Sequence, residues 1–186
     1  MVPTTSLWMP ILLSAVAVFV ASSIVHMVLP YHKSDYGKLE AEDDVMDALR
    51  KARVTSGDYL FPRPANRAAL KDPAFLEKMK RGPAGLMTIR SSASPSMGKS
   101  LALWFIYCIV VAVFAAYLAG RALSPGAPFA SVMRFAGTTA FACFAVGLWQ
   151  NTIWLWRSAA ITLKSTFDGL IYAVVTGAVF GWLWPH

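Results

Sequence analysis

The chain has 186 residues, 56% of them hydrophobic, and a formal net charge of +7; with a mean hydropathy of +0.51 it is too apolar for an ordinary soluble domain of this length. The charge is concentrated: residues 31–99 hold 13 of the 17 Lys and Arg and 9 of the 10 Asp and Glu. That near-balanced segment has no basic stripe interleaved with aromatics, which excludes a nucleic-acid surface.

Four apolar stretches, 8–29, 100–120, 129–149 and 167–184, account for most of the rest. Each has roughly the 20 residues that cross a hydrocarbon core as a helix. A spanning helix satisfies its own backbone, which lipid cannot do. The expected fold is an all-α integral membrane protein, a four-transmembrane-helix bundle. Residues 1–30 form the first transmembrane helix, 31–99 a cytoplasmic loop with two short helices, and 100–186 helices two to four. The first stretch is preceded by no Lys or Arg, is too long for the apolar part of a signal peptide, and ends without a persuasive cleavage site. It is expected to be a retained membrane helix.

Within the loop, residues 40–54 read as a short amphipathic helix, with Val45, Met46, Leu49 and Ala52 on the apolar side. Its acids lead and its bases trail, which suits the helix dipole. Ser56-Gly57-Asp58 reads as a turn. A second helix is expected over 72–81, opened by Asp72-Pro73 and closed by Gly82-Pro83. Residues 84–99 read as an irregular linker. Two such helices cannot build a core alone and are expected to lie on the membrane surface or against a partner. The run 93–100, Ala-Ser-Pro-Ser-Met-Gly-Lys-Ser, nearly matches a phosphate loop, but its first glycine is alanine, Pro95 interrupts it and no strand precedes it. It is expected instead to place Lys99 at the inner face, with Ser100 capping helix two.

The later helices carry small residues four apart: Cys108, Ala112, Ala116 and Gly120 on helix two; Thr139, Cys143 and Gly147 on helix three; Gly169, Ala173, Gly177 and Gly181 on helix four. Such stripes let neighbouring backbones approach, either inside a bundle or on a partner. Cys108 and Cys143 fall at similar depths and read as buried small residues without a disulfide. The 151–157 segment either lies along the inner leaflet or prolongs helix three. Asp168 is the only acid after Glu77. An ionisable residue at a membrane helix suggests function, yet Ser165-Thr166-Phe167-Asp168 has the form of a capping box opening helix four.

Basic residues near membrane ends put the 31–99 loop and the 151–165 connection in the cytoplasm and both termini outside. Trp8, Tyr117, Trp182 and Trp184 then fall at outer ends, and Tyr31, Trp104, Trp149, Trp154 and Trp156 near inner ends. On this topology polar residues of all four helices converge at one cytoplasmic mouth. His26, His32, Asp35, Gln150, Asn151, Lys164 and Asp168 are the candidate ligand-binding residues, with Lys99 and Ser100 nearby. His26, His32 and Asp35 offer metal-ligand chemistry, but their spacing matches no zinc or haem pattern, and a histidine bonded to a neighbouring helix is expected. No catalytic residue, metal site or cofactor is assigned.

The stretches His26-Met-Val-Leu-Pro-Tyr-His-Lys-Ser-Asp-Tyr36 and Lys164-Ser-Thr-Phe-Asp-Gly-Leu-Ile-Tyr172 resemble signatures of a family of small uncharacterised bacterial inner-membrane proteins. That resemblance implies a bacterial inner-membrane location and no particular chemistry. The leading functional expectation is a non-enzymatic accessory or structural subunit, docking on other membrane proteins or on itself within the lipid bilayer. The alternatives are a transport or small-ligand-binding protein using the polar mouth, and a metal- or haem-binding protein built on His26, His32 and Asp35.

Overall fold

A computed structural model describes residues 1–90 and 96–186. The chain divides into two compact units, one made of Met1–Tyr36 with Pro95–His186 and the other of Gly37–Ser94. Residues 31–36, expected to open the loop, therefore belong with the spanning helices.

The first unit contains four helices long and apolar enough to cross a membrane. The first span, Thr4–Val28, is built from a 3-10 turn, helix α1 (Trp8–Ser23) and a wide π-turn over Ile24–Val28. The second is α4 (Met97–Ala122). The third, Phe129–Leu155, is α5 (Phe129–Phe144), a 3-10 break and a short α6 (Trp149–Leu155). The fourth is α7 (Ala159–Trp182). Each span packs against the next in the chain, and α7 closes the ring on α1. Large apolar side chains such as Leu13, Val110, Phe114, Leu163 and Phe167 stay exposed around the outside, as a lipid-facing surface requires.

Three local expectations change. Helix α4 starts at Met97, capped by Ser96, whose Oγ accepts from the Lys99 N–H at 3.4 Å; Ser100 lies inside the first turn. The rest of the near phosphate loop, 93–95, lies outside the described residues. The fourth span opens at Ala159, about two turns before Phe167. Ser165 is therefore interior, its hydroxyl donating to the Ile161 carbonyl at 3.1 Å, and Asp168 belongs to no capping box. The connection before α7 shrinks to a few residues, turned by Trp156 in the left-handed region at φ 55°.

Small residues set the helix separation. On α7 a Cβ at Gly177 would stand 2.8 Å from the Met133 carbonyl oxygen, and one at Gly169 would stand 2.8 Å from the Ala145 Cβ. The Gly169–Gly177 face of α7 thus lies directly on α5, and Ala112, Ala116 and Gly120 of α4 are buried as well. The helix-three stripe is placed differently: Gly147 is exposed with open space around it, while Val132, Ala136 and Ala140 are the buried positions. At the end carrying the α4–α5 turn, the core gathers Leu7, Ala115, Phe180 and Trp184. Toward the other end it gathers Val18, Cys108, Phe144 and Tyr172. Both cysteines are free.

The second unit contains α2 (Glu42–Lys51) and α3 (Pro73–Arg81) close to their expected positions. It also contains two strands where a turn and a linker were expected. Strand β1 (Gly57–Phe61) pairs antiparallel with β2 (Gly85–Ile89), with Tyr59 opposite Met87. The Thr88 hydroxyl donates to Asp58 at 2.7 Å across the pair. The remainder of the linker, 91–95, lies outside the described residues. Asp72 caps α3 as its sequence predicts, accepting from the Ala74 N–H at 2.9 Å. No side chain of this unit is fully buried among the described residues, so its caps matter. Asp72→Ala is expected to destabilise α3 by about 1 kcal/mol, read as faster amide hydrogen exchange confined to that helix.

Candidate functional site

Helix α7 carries a second stripe, one position before its glycines. Lys164, Asp168, Tyr172 and Thr176 recur every four residues and share one face. Asp168, Tyr172 and Thr176 are buried there. On α1, Ser14, Val18 and Ser22 make the corresponding buried row, and the exposed His26 follows four residues after Ser22, beyond the end of α1. The π-turn lies at this point, with the Leu29 N–H bonded to the Ile24 carbonyl at 3.1 Å. A π-turn often marks a functional position in a helix. Pro30 then begins a 3-10 turn through Ser34, which lays Tyr31, His32 and Asp35 over α7.

Lys164 fixes that turn. Its Nζ donates to the Tyr31 carbonyl at 2.6 Å, to Ser34 Oγ at 3.0 Å and to Asp35 Oδ1 at 2.7 Å. An ammonium has three hydrogens, so all are used. Asp35 receives a second contact on its other oxygen, from His32 Nδ1 at 2.6 Å. The bonds from Lys164 and then His32 hold the Asp35 carboxyl below the ordinary carboxylate range, against the opposing effect of desolvation.

Asp168 lies beneath this turn and is only 3% exposed. The Tyr31 hydroxyl donates to its Oδ1, and His32 Nε2 lies 3.0 Å from its Oδ2. That last approach has the wrong direction for a hydrogen bond, so the buried His32 Nε2 has no hydrogen-bond partner among the described residues. The His26 ring stands 4.6 Å from the His32 ring, and its Nε2 faces the Tyr172 hydroxyl at 3.5 Å. One donor atom each from His26, His32 and Asp168 lies within 4.8 Å of the others. Below, Tyr172 stacks edge-on with Phe144 at 5.5 Å and with Trp104 at 5.9 Å, which gives the cluster an apolar floor. Beside it, an apolar groove of about 450 Å³ opens between Tyr31, Phe141, Leu163, Lys164 and Phe167.

Five of the seven candidate residues therefore meet: His26, His32, Asp35, Lys164 and Asp168. Gln150 and Asn151 make no side-chain hydrogen bond among the described residues and do not join the cluster. They sit on α6, beyond the break at Ala145–Leu148. Tyr31, Ser34 and Tyr172 are additional members. Tyr172 was readable as the next position after Lys164 and Asp168 on a four-residue spacing. Tyr31 and Ser34 carried no signal apart from their neighbours.

The chain is a multi-pass α-helical membrane protein with a polar cluster where its first and fourth spans meet at one end of the bundle. No known protein family, curated protein or solved structure matches it.

Proposed function

We propose that this protein binds one divalent first-row transition-metal ion through His26, His32 and Asp168. The observation that carries this reading is the buried Nε2 of His32, which has no hydrogen-bond partner among the described residues and stands beside a buried carboxylate and a second imidazole. Two histidines and one carboxylate suit Zn²⁺ or Fe²⁺, whereas Ca²⁺ and Mg²⁺ favour sets made wholly of oxygen. Asp35 has a different role from the ligand role the sequence offered it. It accepts the Nδ1–H of His32 and so leaves Nε2 as the free lone pair, the usual carboxylate–histidine arrangement behind a metal. Three protein ligands leave positions open for water or a substrate.

We place the protein in a bacterial inner membrane with the 31–99 segment in the cytoplasm. The excess of Lys and Arg flanking that segment supports this orientation. Docking on partners through small-residue stripes has less support, because the stripes of α4 and α7 are buried inside the bundle.

The test is elemental analysis of full-length protein purified in mild detergent, with a Co²⁺ titration followed by visible absorption. About one Zn or Fe per chain is expected, together with ligand-field bands that saturate at one equivalent of Co²⁺. Metal-free protein that also gives no Co²⁺ bands would overturn the reading.

A further inference from the structure

At the opposite end of the bundle two arginines stand without carboxylate partners among the described residues. Arg121 is in the last turn of α4 and Arg134 in the second turn of α5, joined by the short turn between those helices. Both are exposed, and both line one groove of about 530 Å³ with Leu118, Phe135, Thr138 and Thr139. The sequence places no Asp or Glu in residues 1–34 or 97–167. Asp168 is engaged at the other end, and neither arginine makes an ion pair among the described residues. The Arg121 guanidinium lies over the Tyr117 ring, 5.5 Å from its centre.

An unpaired guanidinium on a lipid-facing helix is costly in hydrocarbon and reaches for the headgroup level. Two of them lining one groove offer two planar guanidinium groups, the chemistry that suits a phosphate. A second groove, of about 450 Å³, adjoins the first across α5 and shares Arg134 and Thr138 with it. Its walls, among them Met133, Phe141 and Leu170, are apolar. A charged pair with an apolar channel on each side of one helix matches a phosphate with two acyl chains.

We propose that Arg121 and Arg134 hold the phosphate of an anionic phospholipid, whose acyl chains lie in the two grooves flanking α5. A zwitterionic lipid carries its own cation beside the phosphate and gains less from the pair. This site is independent of the metal cluster.

The test is native mass spectrometry of full-length protein from detergent, with phosphatidylglycerol and phosphatidylcholine of identical chains in competition. Retention of phosphatidylglycerol is expected to exceed that of phosphatidylcholine by about 30-fold, and Arg121→Gln/Arg134→Gln is expected to remove the preference. Arg121→Lys and Arg134→Lys should each keep part of it, because the charge remains while the fork is lost. Equal retention of the two lipids by the wild type would overturn the proposal, whatever the variants do. So would an undiminished preference in a double variant whose gel-filtration profile is that of the wild type.

Discussion

Asp168→Asn is expected to leave a folded protein whose Co²⁺ affinity has fallen more than about 100-fold. Asparagine keeps the size of the side chain and can still accept from the Tyr31 hydroxyl, so the turn over α7 keeps its footing. It removes the one negative charge among the three ligands and leaves a poor donor in its place. Asp35→Asn is the informative comparison. Asp35 touches His32 and Lys164 and is not one of the three residues that would hold the ion, so its loss would release the ring without removing a ligand. The expected cost is about 10-fold, at the lower end of what such supporting groups contribute. Cobalt titrations of the two variants, with circular dichroism to verify folding, separate a ligand from a group that orients one. Equal affinities for Asp168→Asn and the wild type would remove Asp168 from the metal's coordination.

Gly177→Leu is expected to destroy the bundle, and Gly177→Ala to weaken it by about 1–3 kcal/mol. A new Cβ would meet the Met133 side chain at 3.0 Å and two main-chain atoms, the Met133 carbonyl oxygen at 2.8 Å and the Gly137 Cα at 3.3 Å. The Met133 side chain can turn away but the two main-chain atoms cannot, so α5 and α7 must separate along the contact. Helix association in lipid depends on close packing of this kind, since burial from water contributes nothing there. Gly147→Ala supplies the control. It adds the same methyl group where nothing lies within 4 Å, and a change within about 0.5 kcal/mol is expected. Unfolding midpoints in mixed micelles of increasing sodium dodecyl sulfate content provide the measurement. A Gly177→Ala protein as stable as Gly147→Ala would mean that the α5–α7 contact is softer than its geometry implies.

The spans were legible because lipid demands length and apolarity, and both are written locally in the sequence. The glycine face of α7 was legible for the same reason, as a period of four within one segment. The start of α7 was not. Residues 159–166 include Lys164 and three hydroxyl residues, which read as connection rather than as helix. Ser165 and Thr166 are satisfied by carbonyls one turn back and Thr162 meets Thr152 at 2.6 Å, but the partners of Lys164 are far away in sequence: Tyr31, Ser34 and Asp35 accept from it. Once the start is misplaced, Ser165-Thr166-Phe167-Asp168 looks like a cap, although the same spacing occurs inside any helix. The consequence for the cluster is direct. His32 and Asp35 are three apart and meet within one turn, but the partnership of His32 with Asp168 exists only because α7 begins early enough to bury Asp168. Strands β1 and β2 were missed because each is five residues long and their pairing spans a helix, which no local pattern records.

Helix α7 presents its glycines to α5 and its polar row to α1, and the two rows are one residue apart. A helix is stiff over such a distance, so anything that pushes Gly169 away from Ala145 also carries Asp168 off its seat. Seen genetically, lesions on a face that never meets a ligand would mimic lesions in the cluster itself. Compensating changes would be found on α5, away from the His26–His32–Asp168 cluster, as smaller residues that restore the fit.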